Sequence, residues 1–300
     1  MSLKLLSEIK SGHHKPFLCL EVNPPRGTDF EHIFKRLDNN VEGIDFFNIT
    51  DSALARMKMA PIPFASMLKQ RYGIEPLVNL SCRDRNLIAI QGDLLAAWAM
   101  GIRSPVALTG DAVTVGDSPN RKGVFEVNSV GLLGVIEKLN SGEDLAGNKL
   151  QGSPKFVPGV VANPNAKNVA AEVRRLVRKK EAGACYALTQ PVFDPVVAEE
   201  FLARAGECGL PIFLGFLPLK KGASALGIAN IPGIRLPEDM LKYAGKDPGR
   251  DMTDYSFKRC LEIAQASLGK VCGFHVISGA TPRLALKLAG ELKSFISEKS

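Results

Sequence analysis

The chain has 300 residues, of which 45% are hydrophobic and 23% are charged. This balance excludes a disordered, fibrous or repeat protein, and the length allows one large domain or two small ones. The 38 Lys and Arg residues against 31 Asp and Glu leave a formal charge of +7, which suits an anionic ligand. Because no long basic run is interleaved with aromatic residues, nucleic acid is not indicated as a partner.

The six cysteines are scattered without a CxxC pair, and most lie in apolar runs. This pattern is typical of buried free thiols in a reducing compartment. No apolar stretch is long enough to cross a bilayer, and the N-terminus lacks the apolar region of a signal peptide. We therefore expect a cytoplasmic protein without membrane contact, which begins with a short amphipathic helix over residues 3–11.

Short apolar runs alternate along the chain with longer amphipathic segments. The predicted strands are 17–22, 44–49, 75–80, 104–108, 155–161, 184–189, 211–217 and 271–277. The predicted helices are 28–39, 61–72, 84–100, 128–140, 166–182, 194–208, 222–230 with 251–268, and 281–297. Strands that are apolar throughout are buried on both faces.

Eight strand-then-helix units predict an α/β fold, a (β/α)8 TIM barrel in which residues 1–300 form a single domain. A doubly wound open sheet is the competing arrangement, but none of the predicted strands has the features of an edge strand.

In such a barrel the chemistry lies where the strands end. Glu21 ends the first predicted strand, in a run that is otherwise apolar. Partial burial at that position raises the pKa of a carboxyl group and suits a general acid. An ion pair between Glu21 and Arg26 is the alternative interpretation.

Other strand ends carry hydroxyl, amide and carboxylate groups. Gln190 offers a donor and an acceptor together, as recognition of an amide-like heterocycle requires. Asn163 fits either a helix cap or a ligand contact. Glu172 and Lys179 lie seven residues apart on one helix face, which is typical of a solvated surface. Arg83 and Arg85 fit either pairing with nearby acids or binding an anion.

Several familiar sites are missing from the sequence. The four histidines lie far apart without a metal-ligand spacing, so we expect no metal site. There is no GxGxxG, no Walker loop and no GxSxG, which disfavours a Rossmann domain, a P-loop NTPase and a serine hydrolase. The remaining pattern favours a planar heteroaromatic ligand with assistance from an acid.

In their order along the chain, the strand-end motifs resemble those of the methylenetetrahydrofolate reductases, which are flavin-dependent barrels of one-carbon metabolism. The motifs are LEVNPPRG (20–27), NLSCRDRN (79–86), GDLLAAWAMGIRSPVALTGD (92–111), VVANP (160–164), AGACYALTQPVFD (182–194), GFLPL (215–219) and IPGIRLP (231–237). The resemblance implies an oxidoreductase that reduces 5,10-methylenetetrahydrofolate to 5-methyltetrahydrofolate, a step toward methionine biosynthesis. It also implies FAD as the cofactor, with FMN as the alternative, and NAD(P)H as the electron donor.

The resemblance assigns roles by motif. Glu21 is the general acid that assists opening of the folate ring, and Asp111 lies near the flavin and the pterin. Gln190 and Phe216, together with Glu21, contact the folate. The cofactor contacts that it implies are Thr50, Asn79, Ser81, Thr109, Gly110, Asp111, Asn163, Glu172 and Lys179.

The motifs also depart from the better-known members, with Thr109 and Asn79 at two positions where those members carry other groups. The variant motifs resemble a subgroup that is fused to other domains or that works with a partner subunit supplying electrons. Assembly as a homo-oligomer or with such a partner stays open. The competing functions are a flavin-free, pterin-binding methyltransferase barrel and a partner-dependent subunit of a larger one-carbon complex.

Overall fold

The computed structural model describes residues 15–118, 120–231 and 233–299, so the helix predicted over 3–11 lies outside the described residues. Eight parallel strands form a closed barrel in chain order, and the first strand pairs with the eighth. The strands are β1 Phe17–Val22, β2 Phe46–Ile49, β3 Glu75–Ser81, β4 Ser104–Leu108, β5 Gly159–Ala162, β6 Tyr186–Pro191, β7 Ile212–Phe216 and β8 Gly273–Val276. The predicted (β/α)8 barrel is confirmed, and the open sheet is excluded.

Helices follow the strands around the outside of the barrel. They are α1 Glu31–Leu37, α2 Pro61–Tyr72, α3 Leu87–Ala99, α4 Ser129–Asn140, α5 Val169–Glu181, α6 Pro195–Gly206, α7 Gly222–Ile228, α8 Glu238–Gly245, α9 Thr253–Ser267 and α10 Pro282–Lys299. The side chains of Asn86, Asn128 and Asp194 cap α3, α4 and α6 by accepting backbone N–H groups of the first turn. Helix α8 was not predicted, because its eight residues are too few to show a clear apolar period.

The interior of the barrel is filled by aromatic side chains. Phe17, Phe46, Tyr186 and Phe213 contact one another with ring centroids 5.4–6.4 Å apart. Glycine at 159 makes room for this cluster, since a Cβ there would lie 2.3 Å from the ring of Tyr186. The barrel is therefore a packed core at the level of these rings, which we call the aromatic floor. Polar side chains lie toward both ends of the strands, Asn48 and Asn79 toward the carboxyl ends and Glu75 toward the other.

In the described ranges, no helix combines the length and the apolar character that a membrane span requires. Nor does any cluster of three His, Cys, Asp or Glu side chains in these ranges have the spacing of a metal site.

Candidate active site at the mouth of the barrel

Glu21 lies at the end of β1 and is partly buried. Its Oε1 atom accepts hydrogen bonds from the N–H of Ser278 at 3.1 Å, the hydroxyl of Ser278 at 3.0 Å and the N–H of Gly279 at 3.2 Å. A fourth donor is the amide of Asn23, at 3.1 Å. Arg26 pairs instead with Asp117 at 2.8 Å, so the alternative of a Glu21–Arg26 ion pair is excluded.

Burial raises the pKa of the Glu21 carboxyl group above its ordinary value, and the hydrogen bonds to Oε1 oppose this effect. Burial is the larger influence. All four donors meet Oε1, and no described residue donates to Oε2. When the carboxyl group is protonated, its proton therefore belongs on Oε2, which is the oxygen suited to act as an acid.

Thr50 joins this arrangement through Asn23. Its hydroxyl donates to Asn23 Oδ1 at 2.7 Å, and the amide of Asn23 donates both to Glu21 and to Ser278 at 2.9 Å. Sequence reasoning did not select Asn23 or Ser278, because each is a common loop residue and their contact spans 255 residues of chain. The polar chain connects the ends of β1, β2 and β8.

Asp111 holds a strained turn that follows β2. Its Oδ2 atom accepts the N–H of Leu54 at 2.7 Å. Ser52, Leu54 and Ala55 adopt positive φ angles of 44°, 56° and 52°, which costs free energy for residues with a side chain. Asp111 itself is exposed. The predicted site residue thus ties the end of β4 to the loop after β2.

A buried ion pair organises the ends of β2 and β3. Asp51, whose side chain is 4% exposed, lies 2.6 Å from Arg85 and also accepts the N–H of Ser81 at 2.8 Å. Arg85 contacts the more exposed Asp93 as well. Arg83 pairs with Asp84. Both arginines therefore pair with nearby acids, which was one of the two interpretations of the sequence.

Amide and imidazole groups above the aromatic floor are incompletely bonded. Asn48 donates to Asn79 Oδ1 at 2.9 Å, whereas no described residue accepts from the amide of Asn79 or bonds to the side chain of the exposed Gln190. His275, on β8, is buried, and neither ring nitrogen has a well-formed hydrogen bond to a described residue. Burial lowers the pKa of His275 to about 4, with a small opposing effect from the backbone of Thr189. The imidazole is neutral at pH 7.

The predicted contacts near β5 are bonded to the protein itself. Glu172 accepts the N–H of Asn163 at 2.9 Å and pairs with Arg175, while Lys179 donates to the carbonyl of Val161 at 2.6 Å. Burial lowers the pKa of Lys179. This is a buried interface between β5 and α5, not the solvated face that the helix pattern suggested. The expectation that Glu172 and Lys179 line a cofactor path stays a prediction, since the ammonium group of Lys179 has donors beyond the one that bonds to Val161.

Phe216 requires a correction. It was expected to contact the folate, but it is fully buried and stacks on Phe274 with ring centroids 5.5 Å apart. Both belong to the layer between strands and helices, with Leu214 and Val276. Thr109 has a structural contact too, since its hydroxyl accepts the N–H of Ser129 at the start of α4.

Gly110 is expected to be intolerant of a side chain. Its φ of +96° is unfavourable for other residues, and a Cβ would lie 2.2 Å from Ser81 Oγ. We expect Gly110→Ala to lower the free energy of unfolding by about 1–3 kcal/mol, as measured by urea denaturation. Gly134→Ala on α4, where nothing lies within 4 Å, is the control and should be neutral or stabilising. Equal effects of the two variants would contradict this account of Gly110.

A closed (β/α)8 barrel with an acid and free amides at the ends of its strands has the architecture of a TIM-barrel enzyme. Residues 5–287 match the family model of methylenetetrahydrofolate reductase, and the chain belongs to that family. The predicted family, with the oxidoreductase class that its name states, is confirmed.

Individual relatives agree with this assignment. The chain is 27% identical over 238 residues to 5,10-methylenetetrahydrofolate reductase of Salmonella typhimurium. The matched region covers 77% of this chain and 74% of that relative. It is 24% identical to a probable methylenetetrahydrofolate reductase (NADPH) of Caenorhabditis elegans, covering 84% of this chain and 38% of that longer protein.

The barrel also resembles a protein from Clostridium thermocellum described as binding two copies of 5-methyl-5,6,7,8-tetrahydrofolic acid. The TM-score is 0.67 and the identity 15%, with 97% of this chain and 99% of that chain covered. At this identity the likeness shows the fold alone.

Proposed function

We propose that this chain is a flavin-dependent enzyme that reduces 5,10-methylenetetrahydrofolate to 5-methyltetrahydrofolate, with electrons from NAD(P)H or from a partner protein. The observation that carries the proposal is the geometry of Glu21, a partly buried carboxyl group with a raised pKa at the mouth of a barrel of this family. The names of the relatives support the substrate, and one of them names NADPH.

Glu21 acts as the general acid. Reduction requires the five-membered ring of the folate to open, and the leaving nitrogen must gain a proton as its bond to the bridging carbon breaks. The raised pKa increases the protonated fraction of Glu21 at a given pH, as the role of an acid requires. The four donors on Oε1 hold the carboxyl group in one orientation and leave the proton on Oε2.

A flavin ring system fits the polar layer of the mouth. The free amide of Asn79 offers a hydrogen bond at the mouth, as recognition of a planar heteroaromatic ring requires. Thr50, Asn79, Ser81, Gly110 and Asp111 would hold the ring, with Thr109 and Asn163 beside them. When bound, the flavin supplies the hydride.

Asp111 and Gln190 are assigned to the space above that ring. Asp111 fixes the strained turn after β2 through Leu54, so the carboxylate and the turn have a defined relative position. Gln190 has no bond to a described residue and is exposed, which suits a hydrogen bond to the pterin. Glu172 and Lys179 are assigned to the ribityl and phosphate end of FAD or FMN: one Nζ hydrogen of Lys179 bonds to Val161, and the ammonium group has two more.

The test is to purify the protein, record its visible spectrum and identify any flavin released on denaturation. We expect a yellow protein that oxidises NAD(P)H with menadione as acceptor and that reduces 5,10-methylenetetrahydrofolate. A colourless preparation that takes up neither FAD nor FMN would contradict flavin dependence. If it still bound 5-methyltetrahydrofolate, a flavin-free methyltransferase would be the better assignment.

Failure of NAD(P)H oxidation by a yellow protein would point to a partner subunit as the electron donor.

We further propose a cytoplasmic location, supported by the six free cysteines, and a role in supplying the methyl group for methionine biosynthesis. Assembly as a homo-oligomer remains a prediction that the same preparation tests by light scattering.

A further inference from the structure

Helix α3 exposes a face that carries no polar side chain. Six exposed residues recur over three turns at the spacing of one helix face; we call them the apolar face of α3, and they are Ile88, Ala89, Gly92, Leu95, Ala96 and Ala99. Ile88 is 80% exposed, more than any other large hydrophobic residue that the structure describes. Helix α5, in contrast, exposes Arg174, Arg175 and Arg178.

A helix that is apolar all round is expected to be covered all round. The inner side of α3 packs on the barrel through Ile90, Leu94 and Ala97, so its apolar face is left without a packing partner among the described residues. The face is about 17 Å long at 1.5 Å per residue. Leu145, which is 41% exposed, extends it sideways, because its N–H bonds to Gln91 of α3 at 2.8 Å. Continuous exposed apolar surface of this kind marks a site of protein association.

The shape of the apolar face matches a second copy of itself. The bulky side chain of Ile88 lies at the start of α3, whereas Ala96 and Ala99 lie at its end and Gly92 lies between. When two copies cross antiparallel, Ile88 of each copy lies over the small residues at the end of the other. The missing side chain of Gly92 lets the two backbones approach. A two-fold contact of this kind uses the same surface on both subunits.

The charges at the two ends of α3 fit the same arrangement. The exposed Glu126 accepts the N–H of Leu87 at the start of α3, and Arg103 donates to the carbonyl of Trp98 and stacks on its ring at the end. Neither forms an ion pair with a described residue. Both lie on the side of α3 that faces α4, since Glu126 comes three residues before that helix and Trp98 contacts Phe156, which precedes β5. A two-fold axis across α3 exchanges the ends of the helix and keeps its sides, so Glu126 of each copy meets Arg103 of the other.

We propose that the apolar face of α3 is the interface between two copies of this chain, whose α3 helices cross antiparallel about a two-fold axis. A standard stable interface buries about 800 Å² per partner. The apolar face, Leu145 and the charged ends give a contact at the low end of this range, for which we expect a dissociation constant on the order of micromolar. The inference is independent of the proposed function.

Sedimentation velocity over a series of protein concentrations tests the proposal. We expect the wild type to be mostly dimeric at about 100 µM and mostly monomeric below about 1 µM, as a micromolar dissociation constant requires. Ile88→Glu should weaken association by about 30-fold or more, because each dimer would bury two carboxylates without partners. Val196→Glu is the matched control: Val196 is 62% exposed and is the second residue of α6, as Ile88 is of α3. This control should associate as the wild type does.

A double variant tests the antiparallel arrangement. In Ile88→Glu with Ala99→Lys, each new carboxylate faces a new ammonium group of the other copy, so we expect the double variant to associate about 5-fold more tightly than Ile88→Glu, the gain from two ion pairs of ordinary strength. The same weak association in both variants would overturn the antiparallel pairing.

Two results would overturn the interface itself. One is an Ile88→Glu protein that dimerises as the wild type does, which would place the interface elsewhere. The other is a wild type that stays monomeric at about 100 µM, well above a micromolar dissociation constant. If Ile88→Glu then also unfolded at a lower urea concentration, another part of the same chain would cover the face. None of these measurements uses catalysis, so an inactive reductase would contradict the proposed function alone.

Discussion

Glu21→Gln is expected to slow reduction of 5,10-methylenetetrahydrofolate by about 100-fold or more, the usual effect of losing a general acid. Glutamine keeps an oxygen that can accept the bonds from Ser278, Gly279 and Asn23, so the geometry of the mouth should survive. What is lost is the proton on the second oxygen. Steady-state rates with the folate substrate measure the effect.

The control reaction is oxidation of NAD(P)H with menadione, which needs no proton transfer to folate. We expect its rate to change by about 2-fold or less, well below the effect of a lost acid. Glu31→Gln, on the exposed surface of α1, should leave both reactions unchanged. If Glu21→Gln slowed both reactions equally, Glu21 would be a structural residue and not the acid.

The raised pKa of Glu21 also fixes the direction of two pH effects. The acid must be protonated, so folate reduction should slow as the pH rises through the pKa that Glu21 has in the folded protein. The same shift makes stability depend on pH: because the folded state binds the proton more tightly than the unfolded chain, protonation stabilises the folded state at low pH, and this contribution is lost as the pH rises from about 4.5 through the pKa of the folded protein. At neutral pH, Glu21→Gln should therefore unfold at the same or a higher denaturant concentration than the wild type.

The barrel could be predicted from the sequence because each strand is a short apolar run followed by an amphipathic helix. Glu21 was found for a related reason, as a carboxyl group that ends such a run. A strand that is apolar throughout does not show, however, which of its side chains point into the barrel and which point toward the helices. In β7 all five residues are buried, so no alternation of polar and apolar residues distinguishes Phe213, inside the barrel, from Phe216, which faces the helices.

Contacts between distant loops explain most of the remaining gaps. Ser278 bonds to Glu21 across 257 residues of chain, and Leu54 bonds to Asp111 across 57. Neither contact has a local sequence signal, because each depends on the closure of the barrel. The helix pattern around Glu172 and Lys179 was also ambiguous, since charged residues on a helix are usually solvated, whereas here β5 provides buried backbone partners.

Arg85→Met is expected to give the largest loss of stability among single substitutions near the mouth. Methionine fills a similar volume but leaves the carboxylate of Asp51, which is 4% exposed, with only the N–H of Ser81 as partner. Removing one member of a buried ion pair costs about 3–5 kcal/mol. The lost contact with Asp93 adds little, because that side chain is 43% exposed. Urea denaturation measures the change.

Two further variants test whether the unpaired, buried charge of Asp51 causes the loss of stability in Arg85→Met. Asp51→Asn combined with Arg85→Met should recover about 1–2 kcal/mol, because a neutral amide oxygen still accepts the N–H of Ser81 but no charge remains buried. Arg174→Met, on the exposed face of α5, should change stability by about 0.5 kcal/mol or less. If the double variant were no more stable than Arg85→Met, the loss would come from packing and not from charge. Asp51 joins the end of β2 to Ser81 at the end of β3, so Arg85→Met should also weaken the flavin binding that we propose. The visible absorbance of the purified Arg85→Met protein measures the flavin that is lost.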